Sequence, residues 1–315
     1  METTNLNLAT IARYFSDEGE AWQFMERTRW NGSPACGHCG SEKVSLLGQK
    51  VLRSGKPSPR RVWRCKDCRK DFTVLVGTIF EGSHIPVSKW LLGVHMMCAG
   101  KNGVSAHELH RQLGVTLKTA WFMSHRIRYA MGQEPLRSKM VGIVEADETY
   151  MGGKRRGDRR GRPSRDSHKA AVMTLVSRDG EARSQVMDRV TGDRLGKVLT
   201  AHMEPESVLM TDDFSAYDKP GQAFAAHHTV NHSKGEYVRG TVTTNTVEGY
   251  FSQLKRSIDG THHHVSRRHL PKYLGEFDYR YSTRKMADGE RTVETIRRAE
   301  GKRLRYSDPA ESAVA

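Results

Sequence analysis

Two short cysteine pairs set the tightest condition on this chain: Cys36-Gly37-His38-Cys39 and Cys65-Lys66-Asp67-Cys68, separated by 25 residues. Paired C-x-x-C elements bring four thiolates to the corners of a tetrahedron, as a zinc ribbon does around Zn²⁺. Cys36, Cys39, Cys65 and Cys68 are therefore the predicted zinc ligands. Only one of the five cysteines, Cys98, falls outside the pattern, which favours metal binding in a reducing compartment over disulfides. Cys98 lies in an apolar helical stretch and reads as a buried, inert thiol. Residues 44–46 and 61–64 read as strands of the ribbon, and residues 6–30 as one or two short helices packed beside it. The pattern leaves open whether the ribbon only clamps the fold or also recognises a partner.

From Ser88 the apolar residues turn helical, with Trp90, Leu91, Val94 and Met97 behind Pro86 and a serine N-cap. A second helix opens on a Ser105–Glu108 capping arrangement and stops at Gly114. A third starts at Thr116, burying Ala120, Met123, Ile127 and Met131. Its other face carries Lys118, Thr119, His125, Arg126 and Arg128. Three such helices with a tight turn before the last predict a helix-turn-helix, with Lys118, Thr119, Arg126 and Arg128 toward DNA. A plain trihelical packing module is the competing reading.

Past residue 135 the pattern becomes strand-dominated. The apolar run 142–146 delivers Asp147, and the run 208–211 delivers Asp212. A helix from Asn245 carries Glu248, with Val247, Phe251, Leu254 and Ile258 turned to the core and Lys255 two turns beyond Glu248. Three acids from distant segments, two at strand ends and one on a helix, repel one another unless a divalent cation holds them. Asp147, Asp212 and Glu248 are thus the predicted catalytic, Mg²⁺-binding (or Mn²⁺-binding) triad for phosphodiester chemistry, with Lys255 placed for the DNA backbone. The order β-β-β-α-β over residues 142–211 predicts an α/β, RNase H-like catalytic domain. Asp213, beside Asp212, leaves the ligand assignment ambiguous by one residue. The run 154–166 holds seven Lys and Arg against two Asp and reads as a loop, either clamping phosphate or simply solvated. The adjacent His262, His263 and His264 are poorly spaced to converge on a metal.

The charge supports a polyanionic partner: 51 Lys and Arg against 36 Asp and Glu give a formal net charge of +15. No apolar run reaches the roughly 20 residues needed to span a bilayer, and the first residues lack a secretory pattern. No membrane association is expected, and the protein is placed in the cytoplasm, at the nucleoid.

The segments CGHC, CKDC, VEADETYMGGK, LMTDDFSAY, VNHSKGEYVRG and TNTVEGYFSQLKRSIDG together resemble the DDE transposases of bacterial insertion sequences, in particular the ISXO-type zinc-ribbon family, over residues 20–285. The resemblance implies that Asp147 and Asp212 are metal ligands, Glu248 the third acid and Lys255 the associated basic residue. Glu248 stands where some members of the wider family carry Asn, which favours an active site. It also implies cleavage of double-stranded DNA at element ends, joining to target DNA, and a homo-oligomer on paired ends. The expected organisation is an N-terminal helical segment and ribbon at 1–80, a helix-turn-helix at 84–135, an RNase H-like domain at 140–290 and a tail at 291–315. A catalytically silent, transposase-derived DNA-binding regulator is the alternative, and a nuclease on the same fold a third reading.

Overall fold

The computed structural model describes residues 6–14, 16–48, 50–55, 57–132, 138–152 and 169–305. Their packing makes two compact units, one from Met1–Met131 with Lys285–Glu311, the other from Gly132–Arg284. No helix among the described residues is long and apolar enough to cross a membrane.

The first unit begins with α1 (Leu8–Tyr14) and α2 (Glu18–Trp30), followed by a three-stranded antiparallel ribbon of β1 (Val44–Leu46), β2 (Trp63–Cys65) and β3 (Asp71–Phe72). Strands this short have little core of their own, and the edge-on rings of Trp30, Trp63 and Phe72 supply one. Glu26 of α2 fastens the ribbon, accepting from Trp63 Nε1 at 2.9 Å and Arg61 Nε at 2.7 Å.

Three helices follow: α3 (Val87–Ala99), α4 (Ala106–Leu113) and α5 (Leu117–Met131). Helix α4 begins and ends where its sequence dictates. Ser105 Oγ accepts from Glu108 N–H at 3.1 Å, and Gly114 takes the left-handed conformation, φ 57°, that closes a helix. The start of α3 differs from expectation, since no serine caps it. The Glu18 carboxylate instead accepts from the N–H groups of Val87 (2.6 Å) and Ser88 (3.1 Å), a cap supplied from 69 residues away.

The second unit is a five-stranded mixed sheet in the order β6-β5-β4-β7-β8. Strands β4 (Ile143–Met151), β5 (Ala170–Ser177) and β6 (Ala182–Met187) form an antiparallel meander. After α6 (Gly192–His202), β7 (Val208–Asp212) pairs parallel to β4, and past the short α7 (Asp218–Gly221), β8 (Ala226–Val230) pairs parallel to β7. A two-stranded hairpin of β9 (Val238–Arg239) and β10 (Val242–Thr243) leads to α8 (Asn245–Ser257) and α9 (Leu270–Ser282).

Alternation sorts the sheet's residues by face. Val144, Ala146, Met173, Leu175 and Leu209 pack with Leu195 and Leu199 of α6. Met151, Val172, Val176 and Ala182 pack on the other face with Val247, Tyr250 and Leu254 of α8 and Leu274 and Phe277 of α9. Every residue of β5 is consequently buried, as a strand covered on both sides must be.

The chain then returns to the first unit. Where a tail from residue 291 is expected, α10 (Asp288–Arg297) is a packed helix. Thr292 Oγ1 lies 3.0 Å from His95 Nδ1 of α3, Arg291 donates to the Cys98 carbonyl at 2.7 Å, and Lys302 Nζ donates to that of Ala130 at 3.2 Å. Cys98 is fully buried here. The ribbon and the three helices, expected as separate modules, therefore share one unit closed by the C-terminal helix.

Candidate functional site

Two clusters carry chemistry, one in each unit. In the first, Cys36 Sγ lies 3.7 Å from Cys68 Sγ and Cys39 Sγ 3.7 Å from Cys65 Sγ, with all four sulfurs within 4.8 Å of one another. A Zn–S bond of about 2.3 Å in a tetrahedron requires sulfurs about 3.8 Å apart, so the donor set fits zinc in both type and spacing. The thiols already feel one another. Cys65 is drawn down to about 7, first by the Cys68 N–H. At Cys39 the Ser41 N–H pulls down, but desolvation and the sulfurs of Cys65, Cys68 and Cys36 prevail and push it up to about 12. Among the described residues, this is the one group of His, Cys, Asp and Glu whose ligand atoms draw together so closely.

The second cluster is acidic and more open. Parallel pairing of β4 with β7 sets Glu145 opposite Met210. Asp147 and Asp212 each lie two residues further along, so both side chains leave the same face, the one that α8 covers. Helix α8 presents Glu248 in its first turn. Burial first, and then the charges of Asp212, Glu148 and Glu248, push the Asp147 carboxyl up to about 8. The Glu148 N–H, donating to Asp147 Oδ1 at 2.6 Å, only partly opposes this. Asp212 Oδ1 accepts from Phe214 N–H at 3.2 Å. Asp213, by contrast, is exposed and has Ser233 Oγ 3.5 Å away.

Glu248 is held by groups that the sequence reading did not single out. Thr244 Oγ1 donates to its Oε1 at 3.1 Å, and His232 Nε2 lies 3.4 Å from the same oxygen and 3.2 Å from Thr244 Oγ1. The His232 ring in turn rests against Tyr237, ring centres 5.1 Å apart. Lys255 is exposed on α8, two turns past Glu248. The donor set of three carboxylates, one of them with a pKa raised by burial and by the charges of its neighbours, suits a hard divalent cation.

The expected DNA-facing residues of α5 divide in two. Lys118 is exposed and Thr119 half-buried, but Arg126 and Arg128 are 6% and 2% exposed. Their placement on an outward face is therefore corrected. Arg126 donates to the carbonyls of Leu304 (3.2 Å) and Glu81 (2.5 Å), and Arg128 to Ser124 Oγ (3.0 Å). His125 is also fully buried, so only the first turns of α5 face outward. A cleft of about 500 Å³ opens beside them, lined by Lys118, Phe122, Trp90, Arg126, Arg303 and Arg305. The basic run 154–166 lies outside the described residues. His262 packs on Tyr273, and His263 Nδ1 lies 3.1 Å from the Asp259 carbonyl.

Residues 139–282 match the model of the ISXO2-like transposase domain, and residues 16–71 that of the transposase zinc-ribbon domain. A Halobacterium salinarum protein described as an uncharacterized protein in transposable element ISH50 is 29% identical over 281 residues, spanning 84% of this chain and 91% of its own length. The crystal structure of the Mos1 strand transfer complex aligns with 65% of this chain and 77% of its own at 9% identity and a TM-score of 0.21, too low to bear on fold or chemistry.

Proposed function

We propose that this chain, which matches the ISXO2-like transposase domain and the transposase zinc-ribbon domain, is an insertion-sequence transposase that binds the ends of its element, cleaves a DNA strand there and joins the freed end to target DNA. The observation that carries this reading is that Asp147 and Asp212 leave one face of the second unit's sheet beneath the α8 turn that carries Glu248, where burial first and then the charges of these neighbours raise the Asp147 carboxyl to about 8. Antiparallel strands followed by parallel ones, with one acid at the middle of β4 rather than at the strand end the sequence suggests and one at the end of β7, support an RNase H-like assignment.

In this reading Asp147, Asp212 and Glu248 hold Mg²⁺ or Mn²⁺, which supplies activation of a water or a DNA 3′-hydroxyl and charge stabilisation at the leaving 3′-oxygen. Water breaks one phosphodiester bond, leaving a 3′-hydroxyl and a 5′-phosphate. That 3′-hydroxyl then attacks a target phosphodiester, exchanging one P–O bond for another with no bond to the protein. Thr244 and His232 keep the Glu248 carboxylate turned toward the cleft, and Lys255 meets the DNA backbone. Helices α4 and α5 act as a helix-turn-helix, with Lys118 and Thr119 at the N-terminal end of the second helix, the end that meets base edges in that motif. Arg126 and Arg128 support that helix from within. Paired element ends call for a homo-oligomer, acting on double-stranded DNA in the cytoplasm at the nucleoid.

The test is a cleavage-and-joining assay with candidate element ends and Mg²⁺. Joined product is expected from the wild type and none from Asp147→Asn, Asp212→Asn or Glu248→Gln. Wild-type protein that binds the ends but forms neither product would favour the silent regulator.

A further inference from the structure

Glu145 is a carboxylate that the triad does not use, yet it is fully buried. It lies on β4 two residues before Asp147, on the face that α8 covers. Its Oε2 accepts from the backbone N–H groups of Thr246 at 2.7 Å and Val247 at 3.1 Å, and its Oε1 from Thr246 Oγ1 at 2.9 Å. These N–H groups are the second and third of α8, the donors that an N-cap side chain normally satisfies. The helix's own N-cap, Thr244, makes no such bond. Its hydroxyl is turned to Glu248 instead. Glu145 thus caps α8 from about 100 residues away and leaves the local cap free to hold the third acid.

Arg178 completes the joint. Its guanidinium lies 3.4 Å from Glu145 Oε1 and donates to the Thr241 carbonyl at 2.6 Å, tying the chain just before α8 to the same carboxylate. Along the chain, Asp147 and Glu248 are 101 residues apart. Through Glu145 they are separated by two residues of strand, one carboxylate and one or two residues of helix.

We infer that Glu145 is a positioning residue that sets the spacing of Glu248 from Asp147 and Asp212, and thereby the affinity of the acid site for divalent cation. This rests on the reading of those three acids as a cation site. Glu145→Gln keeps the shape, but whichever way its amide turns, the N–H₂ faces a donor, either the two backbone N–H groups or the Arg178 guanidinium, and the charge facing the helix N-terminus is lost.

The test measures Mn²⁺ binding to full-length, zinc-loaded protein by electron paramagnetic resonance, beside metal-dependent strand cleavage. Glu145→Gln is expected to weaken Mn²⁺ binding about 10- to 100-fold, the usual effect of removing a group that orients a ligand. Excess Mn²⁺ should restore most of the cleavage rate, as it will not for Glu248→Gln. Leu195→Ala, in the core on the opposite face of the sheet, serves as the stability control and should bind Mn²⁺ as the wild type does. Folded Glu145→Gln with wild-type Mn²⁺ affinity, or an equal loss in Leu195→Ala, would overturn the inference. Should Glu145→Gln fold poorly, Thr246→Ala removes one of the bonds and should weaken Mn²⁺ binding to a smaller extent; wild-type affinity there overturns the inference equally. A wild-type protein that binds Mn²⁺ no better than Asp147→Asn would instead remove the cation-site reading itself.

Discussion

The sulfur cluster of the first unit and the acid cluster of the second are built in opposite ways. The four cysteines come in two local pairs on a ribbon with almost no core, and their ligand atoms close to within 4.8 Å. The three acids come from the middle of β4, the end of β7 and the first turn of α8, on a sheet packed on both faces, and they stay more open. A closed tetrahedron leaves no room for substrate and suits a structural ion. An open set on a rigid scaffold leaves coordination positions for reacting oxygens. Metal should therefore be folding energy in the first unit and chemistry in the second.

The largest effects should break that contrast from the acid side. Asp147→Asn, Asp212→Asn and Glu248→Gln should each lower cleavage and joining by at least about 10³-fold, about 4 kcal/mol of barrier, with the melting temperature and DNA binding retained. Cys65→Ser should do the reverse: zinc content by elemental analysis falls, the ribbon becomes open to proteolysis, and Mn²⁺ binding by the second unit persists.

A pH experiment sharpens the comparison. The folded protein holds the Asp147 proton up to about pH 8, whereas the same carboxyl in an unfolded chain releases it near 3.8. Between those values the folded state binds more protons, so without added Mn²⁺ stability should fall as pH rises through the window. Urea midpoints at pH 5 and pH 8 measure this, and added Mn²⁺ should reverse the loss at pH 8.

Smaller effects concern the surface of α5. Arg126→Ala leaves the carbonyls of Leu304 and Glu81 without their donor and should cost the first unit about 1–3 kcal/mol. Lys118→Ala should change stability by less than about 0.5 kcal/mol yet reduce the salt slope of DNA binding by about one. The smallest effect is expected at Asp213, where Asn should keep activity within a few fold, as befits an exposed neighbour of the cleft.

How much of this was legible in the sequence follows from how local each feature is. The cysteine pairs and the stop of α4 at Gly114 are written in a few adjacent residues, and the structure has them where expected. Strand β8, Ala226–Val230, escaped notice because two histidines and a threonine interrupt its apolar pattern, although pairing beside β7 makes it a strand. Arg126 and Arg128 were misplaced because a helical face says nothing of what covers it. The covering residues, around Leu304, lie near the other end of the chain. Glu145 looked like one more member of the run leading to Asp147, and its partners Thr246 and Val247 are supplied only by the fold. Caps made from 69 and 101 residues away, at α3 and α8, have no sequence signature.

The most direct test of the two-centre account is diffraction from crystals of the full-length protein grown with Mn²⁺, with anomalous maps collected at the zinc and manganese edges. The account predicts a zinc peak among Cys36, Cys39, Cys65 and Cys68 and a separate manganese peak bounded by Asp147, Asp212 and Glu248. Manganese bound elsewhere, or well-ordered acids with no peak between them at saturating Mn²⁺, would contradict it.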